Sequence, residues 1–496
     1  MRDRFYLNDF IYVEGMNPYI LKKMQLFSKI SSVRILKVVL KDFKSVDYGE
    51  IQFDCGKQSG SFSGESDILG IYGQNGSGKT AFVEALAVLK CLMDGVGVSS
   101  VFADCVAVGS ACAELAFTFA MYYSDGNYRE AEYRFCMASK KLSPEEMSEK
   151  YRNAPRNYEL PKEDFKVEIF NERFSLTWEK SAKKQLVIDT SPESAVFVPV
   201  AKRNELIGGD KKLLEEMRYY KRIARENSGS FIFNTKVLSL LESKNPESVF
   251  TSVLMQLQWY AGEYLYVVDT KSSGYIRFNN SIPVYTRHGL YVFDARRPAR
   301  VKQETLADIS EEICSISHVL SQLVPGLSIG IKEIYNTLDK NGEGYVAILL
   351  TASRDGKELP LRDESDGVRK IISVLALFIA VFNDQSVTVA IDEFDAGIFE
   401  YLLGELLEIL QESGKGQFIF TSHNLRPLEV LYKKFVCFTT ANPANRYIRL
   451  KKVGATNNLR DTYFRDILLG GQEEELYNRT KRYKIIAALK RAGDEY

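Results

Sequence analysis

A chain of 496 residues is too long for one hydrophobic core, so two or three lobes are expected. Hydrophobic residues make up 45% and charged residues 26%, a balance that excludes a disordered chain. With 65 basic and 65 acidic residues, no net field draws the whole molecule toward nucleic acid, and any such contact needs a local basic patch.

Seven cysteines (Cys55, Cys91, Cys105, Cys112, Cys136, Cys314, Cys437) are scattered without a C-x-x-C pair. That argues against a zinc cluster or a disulfide framework and fits a reducing compartment. The first residues hold no unbroken apolar stretch of signal-sequence type. The longest apolar run, IISVLALFIAVF, is too short to cross a bilayer, so a cytoplasmic location with no membrane partner is expected.

In chain order, residues 1–30 read as an extension. SVRILKVVLKDFKSVDYGEIQFD reads as two strands around a turn, SDILGIYG as a short apolar strand and TAFVEALAVLKCLM as a helix. CAELAFTFAMYY and YREAEYRFCMA flank Ser124–Asn127 as a hairpin, and KVEIFNERFSLTW is expected to form a second one. Residues 139–163 are polar, contain three prolines and read as a surface loop. The pattern turns helical from about 205 to 262 and again at 303–324. Strands return at LSIGIKEIYNTL and GYVAILLTAS, and the final third alternates helix and strand. No repeat and no sustained heptad run appears, which excludes a long coiled coil.

GQNGSGKT fits G-x-x-x-x-G-K-[ST] and stands between an apolar strand and an amphipathic helix. Glycines let such a loop curl so that its N–H groups face phosphates, aided by the helix dipole. Gly73, Gln74, Asn75, Gly76, Ser77, Gly78, Lys79 and Thr80 are therefore the candidate phosphate cradle. Lys79 is expected to reach the β- and γ-phosphates and Thr80 to ligate Mg²⁺.

SVTVAIDEFDAG is an apolar strand ending in acids. A buried parallel strand leaves Asp392 at its C-terminal edge, where ligands bind in such folds. Asp392 is the candidate Mg²⁺ ligand and Glu393 the candidate general base. His423 follows a further apolar strand, 31 residues after Asp392, as a candidate γ-phosphate contact; a solvated loop histidine is the plainer alternative. Ser365 and Gly367 open a long apolar helix, an arrangement that suits an anion and also serves as an ordinary N-cap.

Taken together and in this order, these segments resemble the ABC-type ATPases of the RecF/SMC/OLD class. GQNGSGKT is similar to their Walker A, ESDGVRK to their signature, VTVAIDEFD to Walker B with the D-loop, and TSHN to the H-loop. The stretch NLRDTYFRDILLGGQEEELYNRTKRYKIIAALKRAG resembles the tail of bacterial "AAA family ATPase" proteins, a group that includes ATPase subunits of anti-phage systems. The resemblance implies an α/β P-loop NTPase head: a mixed central sheet with flanking helices, an antiparallel β subdomain and a largely helical insert. The implied divisions are 1–30 (extension), 31–200 (first half of the head), 201–325 (insert), 326–455 (second half) and 456–496 (helical tail).

It also implies ATP as substrate, Mg²⁺ as cofactor and catalytic roles for Lys79, Glu393 and His423. Two copies would close head to tail, with Ser365, Asp366 and Gly367 of one completing the phosphate site of the other and Asp395 at the interface. The signature reads S-D-G where the class often has S-G-G. For the Q-loop glutamine, Gln185, Gln256 and Gln258 are equal candidates. Arg287, Arg296, Arg297, Arg300 and Lys302, and the tail's Lys481, Arg482, Lys484, Lys490 and Arg491, read as nucleic-acid contacts or as solvated faces. The 73 residues after His423 are too few for an appended nuclease domain, so a nuclease or toxin activity is expected on a separate effector chain. The competing reading is a slow ATPase that sequesters a protein partner without binding DNA.

Overall fold

The computed structural model describes residues 26–53, 66–152, 164–178, 183–269, 281–286, 289–338, 342–354, 356–451 and 458–494. Most of the expected extension, Cys55, Arg287 and His288 lie outside the described residues.

β1 (Ile30–Phe43) turns through Lys44 and Ser45 into β2 (Val46–Gln52). β3 (Asp67–Tyr72) is buried at every position, as an interior parallel strand must be, and leads into α1 (Lys79–Met93). β4 (Ala113–Tyr123) and β5 (Tyr128–Lys141) form the expected hairpin, with Asp125 accepting from the Asn127 N–H and Gly126 supplying the left-handed residue. α2 (Pro144–Lys150), held by a Ser143/Glu146 capping box, follows within the stretch read as a loop.

KVEIFNERFSLTW is not a hairpin. It forms one strand, β6 (Phe165–Thr177), paired with β5 from Lys141↔Phe165 to Glu130↔Thr177. Asn171, which reads as a turn residue, adopts φ 51° at a register shift in that pairing and absorbs a bulge instead of reversing the chain. β7 (Gln185–Asp189) completes an antiparallel sheet of order β2-β1-β4-β5-β6-β7.

Four helices follow: α3 (Val200–Ile207), α4 (Lys211–Glu226), α5 (Thr235–Lys244) and α6 (Val249–Glu263). The interval expected as a mainly helical insert then yields β8 (Leu265–Val268), which returns to the central sheet. Beyond it come β9 (Ser281–Thr286), β10 (Gly289–Asp294), β11 (Ala299–Lys302) and α7 (Leu306–Leu323). β12 (Leu327–Leu338), β13 (Gly344–Arg354) and β14 (Lys357–Pro360) build a small antiparallel sheet with β11. The last part alternates α8 (Asp366–Asn383), β15 (Thr388–Ile391), α9 (Glu400–Ser413), β16 (Gln417–Thr421), β17 (Val436–Thr439), β18 (Tyr447–Ile448), α10 (Leu459–Leu469) and α11 (Arg482–Asp494).

The central sheet has the order β18-β17-β3-β16-β15-β8; all but the edge strand β18 run parallel. Its strands alternate between two cores, as a pleated strand requires. Leu69, Ile71, Ala390 and Ile419 face α1 and the antiparallel sheet. Ile68, Val389, Ile391, Phe418 and Phe420 pack with Val374, Leu377 and Phe378 of α8 and with Leu403 and Leu407 of α9.

Gln417, fully buried at the start of β16, joins the two sheets. Its Oε1 accepts from Ile35 N (3.0 Å), and its Nε2 donates to Ile35 O and Asp67 Oδ2 (2.9 Å each). Gln417→Leu keeps the volume and removes all three bonds. It is expected to destabilise the fold by about 2–4 kcal/mol, read as a lower urea or thermal midpoint. An unchanged midpoint would show that the seam is held by apolar packing alone.

Candidate nucleotide site

Because β17, β3, β16, β15 and β8 run in one direction, their C-terminal ends open at a single edge, where ligands bind in parallel sheets. Five separated stretches meet there: Gly73–Thr80 after β3, Asp269 after β8, Asp392–Gly397 after β15, Ser422–Asn424 after β16 and Thr440–Tyr447 after β17.

The loop from Gly73 to Gly78 is shaped by glycine where nothing else fits. Gly73 has φ 152°, and a Cβ there would lie 1.7 Å from Thr439 Oγ1. Gly76, also at positive φ, and Asn75 form the exposed tip. The Ser77 hydroxyl meets Thr439 Oγ1, and Tyr447 OH donates to Gly78 O (2.7 Å), so the loop leans on β17 and β18. Gly78 caps α1 without a side-chain bond, which leaves the first N–H groups of the helix facing the loop.

Lys79 arches back over the loop, and its Nζ donates to Gly73 O (2.8 Å) and Gln74 O (3.0 Å). Burial lowers its pKa, opposed by the charges of Asp392, Glu393 and Asp395. Thr80 Oγ1 reaches Asp392 Oδ1 at 3.4 Å. The same Asp392 oxygen accepts from Thr421 Oγ1, and Asp392 is 1% exposed.

Glu393 is exposed and stands at φ 48°, unusual for a side chain with a Cβ. Two bonds hold that backbone: its N–H donates to Thr421 Oγ1 (2.8 Å), and its carbonyl accepts from Lys370 Nζ (2.8 Å). Lys370 comes from the first turns of α8; burial, opposed by the nearby Asp395, Glu393 and Asp392, pulls its pKa down to about 8. Asp395 accepts from the N–H groups of His423 (3.2 Å) and Asn424 (2.9 Å), while the His423 ring is exposed. Lys79, Thr80, Asp392, Glu393, Asp395 and His423 thus gather at one edge.

The signature residues lie beside the Asp392–Gly397 stretch and, among the described residues, make no bond to the phosphate loop. Ser365 Oγ accepts from Val368 N (3.3 Å) as the N-cap of α8, the plain role weighed in the sequence. Asp366 pairs with Arg369. Gly367 lies against the D-loop, where a Cβ would approach Gly397 O to 2.8 Å. Among the described residues, no hydrogen bond or ion pair joins Ser365–Gly367 to Gly73–Thr80.

The three Q-loop candidates lie elsewhere. Gln256 bonds Tyr123 OH and Leu26 O; Gln258 donates to Phe233 O near the far end of α1; Gln185 opens the edge strand β7. Beside β15 at the same sheet edge stands Asp269, 3% exposed just after β8. Asp269, Lys370, Thr421, Thr439 and Tyr447 were all missed in the sequence. Only Asp269 left a signal there, since LYVVD repeats the form of TVAID, a short apolar strand closed by an acid.

No helix among the described residues is long and apolar enough to cross a membrane. Residues 290–429 match the family described as "AAA domain, putative AbiEii toxin, Type IV TA system", and residues 37–92 match a second AAA domain family. No curated protein matches the chain. Three solved SMC head structures are similar at 14% identity over 84% of this chain. One is an Smc head bound to the C-terminal winged-helix domain of ScpA (TM-score 0.40, 98% of that chain covered). The others are an Smc head with an extended coiled coil bound to the C-terminal domain of ScpA, from Pyrococcus furiosus (0.37, 96%), and the SMC head domain from Thermotoga maritima (0.32, 99%). The phosphate loop thus lies inside one AAA-domain match and the acid strand inside the other, and the two meet at one edge of the parallel sheet of an α/β fold.

Proposed function

We propose that the protein binds and hydrolyses ATP with Mg²⁺, and that two copies close head to tail around the nucleotide. One observation carries this reading. Lys79, Thr80, Asp392 and Glu393 converge on one edge, while Ser365 and Asp366 sit exposed at a helix N-terminus with no bond to their own phosphate loop. An exposed pair of this kind, unused by its own loop, fits an assembly in which a second copy meets it.

On binding, the loop N–H groups and the start of α1 receive the phosphates. Lys79 exchanges the carbonyls of Gly73 and Gln74 for β- and γ-phosphate oxygens. Thr80 and Asp392 offer a hydroxyl and a carboxylate 3.4 Å apart, hard donors that suit Mg²⁺, which when bound neutralises phosphate charge. Glu393, its backbone fixed by Thr421 and Lys370, polarises the attacking water. His423 faces the γ-phosphate, with Asp395 tying its backbone to the D-loop.

The match to a family described by a toxin–antitoxin system supports a setting in anti-phage defence, with the nucleotide state passed to nucleic acid or to a separate nuclease or toxin chain. A second reading, a slow ATPase that holds a protein partner, is favoured by the state of the basic cluster. Lys302 is already paired with Glu304 and Glu343, and Arg300 lies over the Tyr345 ring. Turnover raised by DNA favours the first; a stable protein complex indifferent to DNA favours the second.

The test of the two-copy site is complementation. Lys79→Ala and Ser365→Arg chains are each expected to be inactive alone. Mixed, they form heterodimers with one intact composite site, and hydrolysis returns. No recovery on mixing, with both chains folded, would sink the head-to-tail reading.

A further inference from the structure

Among the described residues, nothing covers the last helix. Every residue from Arg482 to Arg491 is exposed, and Tyr483, Ile485, Ile486 and Leu489 are between 47 and 69% exposed. Its cations are Arg482 and Lys490, which helical spacing places on the side of these apolar residues, and Lys484 and Arg491, which it places on the opposite side. A helix of this length gains little from propensity alone, so an apolar stripe of this kind calls for a partner surface.

The tail that carries α11 is anchored at the mouth of the phosphate loop. Asn478 N donates to Gln74 Oε1 (3.0 Å), Leu476 is buried in the core, and Glu474 binds Asn442 and Asn445. Helix α11 therefore starts within four residues of the loop.

A second uncovered face has the opposite charge. The outer side of α9 bears Glu400, Glu405, Glu408 and Glu412, with no lysine or arginine in the helix. Among them stand Phe399, Tyr401 and Ile409, 46 to 68% exposed. Arg426 lies over Tyr401, but its charge is paired with Glu429. This face begins two residues after Gly397, the residue in contact with Gly367 of the signature.

We propose that α11 is a strap between two copies, its basic, apolar face docking on the acidic, apolar face of α9 in the second copy. The inference rests on the head-to-tail reading. When the phosphate loop of one copy meets the signature of the other, the start of α11 and the start of α9 are brought to the same place. Arg482 and Lys490 then meet the carboxylates of Glu405, Glu408 and Glu412 around a shared apolar strip. By two-fold symmetry the contact forms twice, once on each side of the closed pair.

Charge reversal tests it on exposed positions, where folding is not at stake. In the Glu393→Gln background with ATP, dimerisation is followed by sedimentation velocity. Glu405→Lys with Glu408→Lys, or Arg482→Glu with Lys490→Glu, is expected to weaken the dimer about tenfold or more, with ATP binding by each chain unchanged. All four changes in one chain restore association. Unchanged dimers in both double variants, or no recovery in the quadruple variant, overturn the strap while leaving the composite site standing. A failure of the Glu393→Gln parent itself to dimerise with ATP overturns the head-to-tail reading beneath it. Loss of a different bound protein from the Arg482→Glu, Lys490→Glu chain, with dimerisation intact, also overturns the strap.

Discussion

Glu393→Gln is expected to slow ATP hydrolysis by about 10²–10⁴-fold while leaving nucleotide binding intact. The amide keeps the shape of the carboxylate and loses its basicity. The backbone that aims the side chain is fixed through groups the substitution does not touch, Glu393 N to Thr421 Oγ1 and Lys370 Nζ to Glu393 O. A position at φ 48° tolerates glutamine as well as glutamate, so misfolding does not account for the loss. ATP that is held and not consumed should accumulate closed pairs, visible as a nucleotide-dependent doubling of mass. Turnover at the normal rate would show that another group polarises the water.

Lys79→Ala is expected to lower turnover by about 10²–10³-fold, here through lost ATP binding. Burial lowers the Lys79 pKa, and Asp392, Glu393 and Asp395 oppose that shift. Alanine leaves those three carboxylates facing the phosphates without their nearest cation. Fluorescent nucleotide titration checks this directly. Affinity within twofold of the parent would show that the loop N–H groups suffice and that the lysine serves only the chemical step.

The phosphate loop and the acid strand were legible because each is a local pattern with a physical necessity behind it. Gly73 has no room for a side chain, and a strand ending in Asp392 must be apolar because both its faces are covered. The antiparallel sheet was legible from alternation, yet its β6 was misread. Asn171 is a turn former and turned out to serve a bulge, a distinction decided by the partner strand β5. β8 escaped for the opposite reason: four residues are too few to show a period, and only pairing with β15 gives it meaning. The long-range supports of the site, such as Thr439 against Ser77 and Lys370 behind Glu393, are set by tertiary packing and leave no trace in spacing. Of the three Q-loop candidates, Gln256 and Gln258 are engaged with Leu26, Tyr123 and Phe233, contacts that no local spacing shows.

The bond from Asn478 to Gln74 spans 404 residues. A ribosome that has already made Gln74 must therefore add 404 residues before this part of the rim can close. Chains interrupted before that point carry the phosphate motif without this neighbour, and completion of the rim waits for a distant segment.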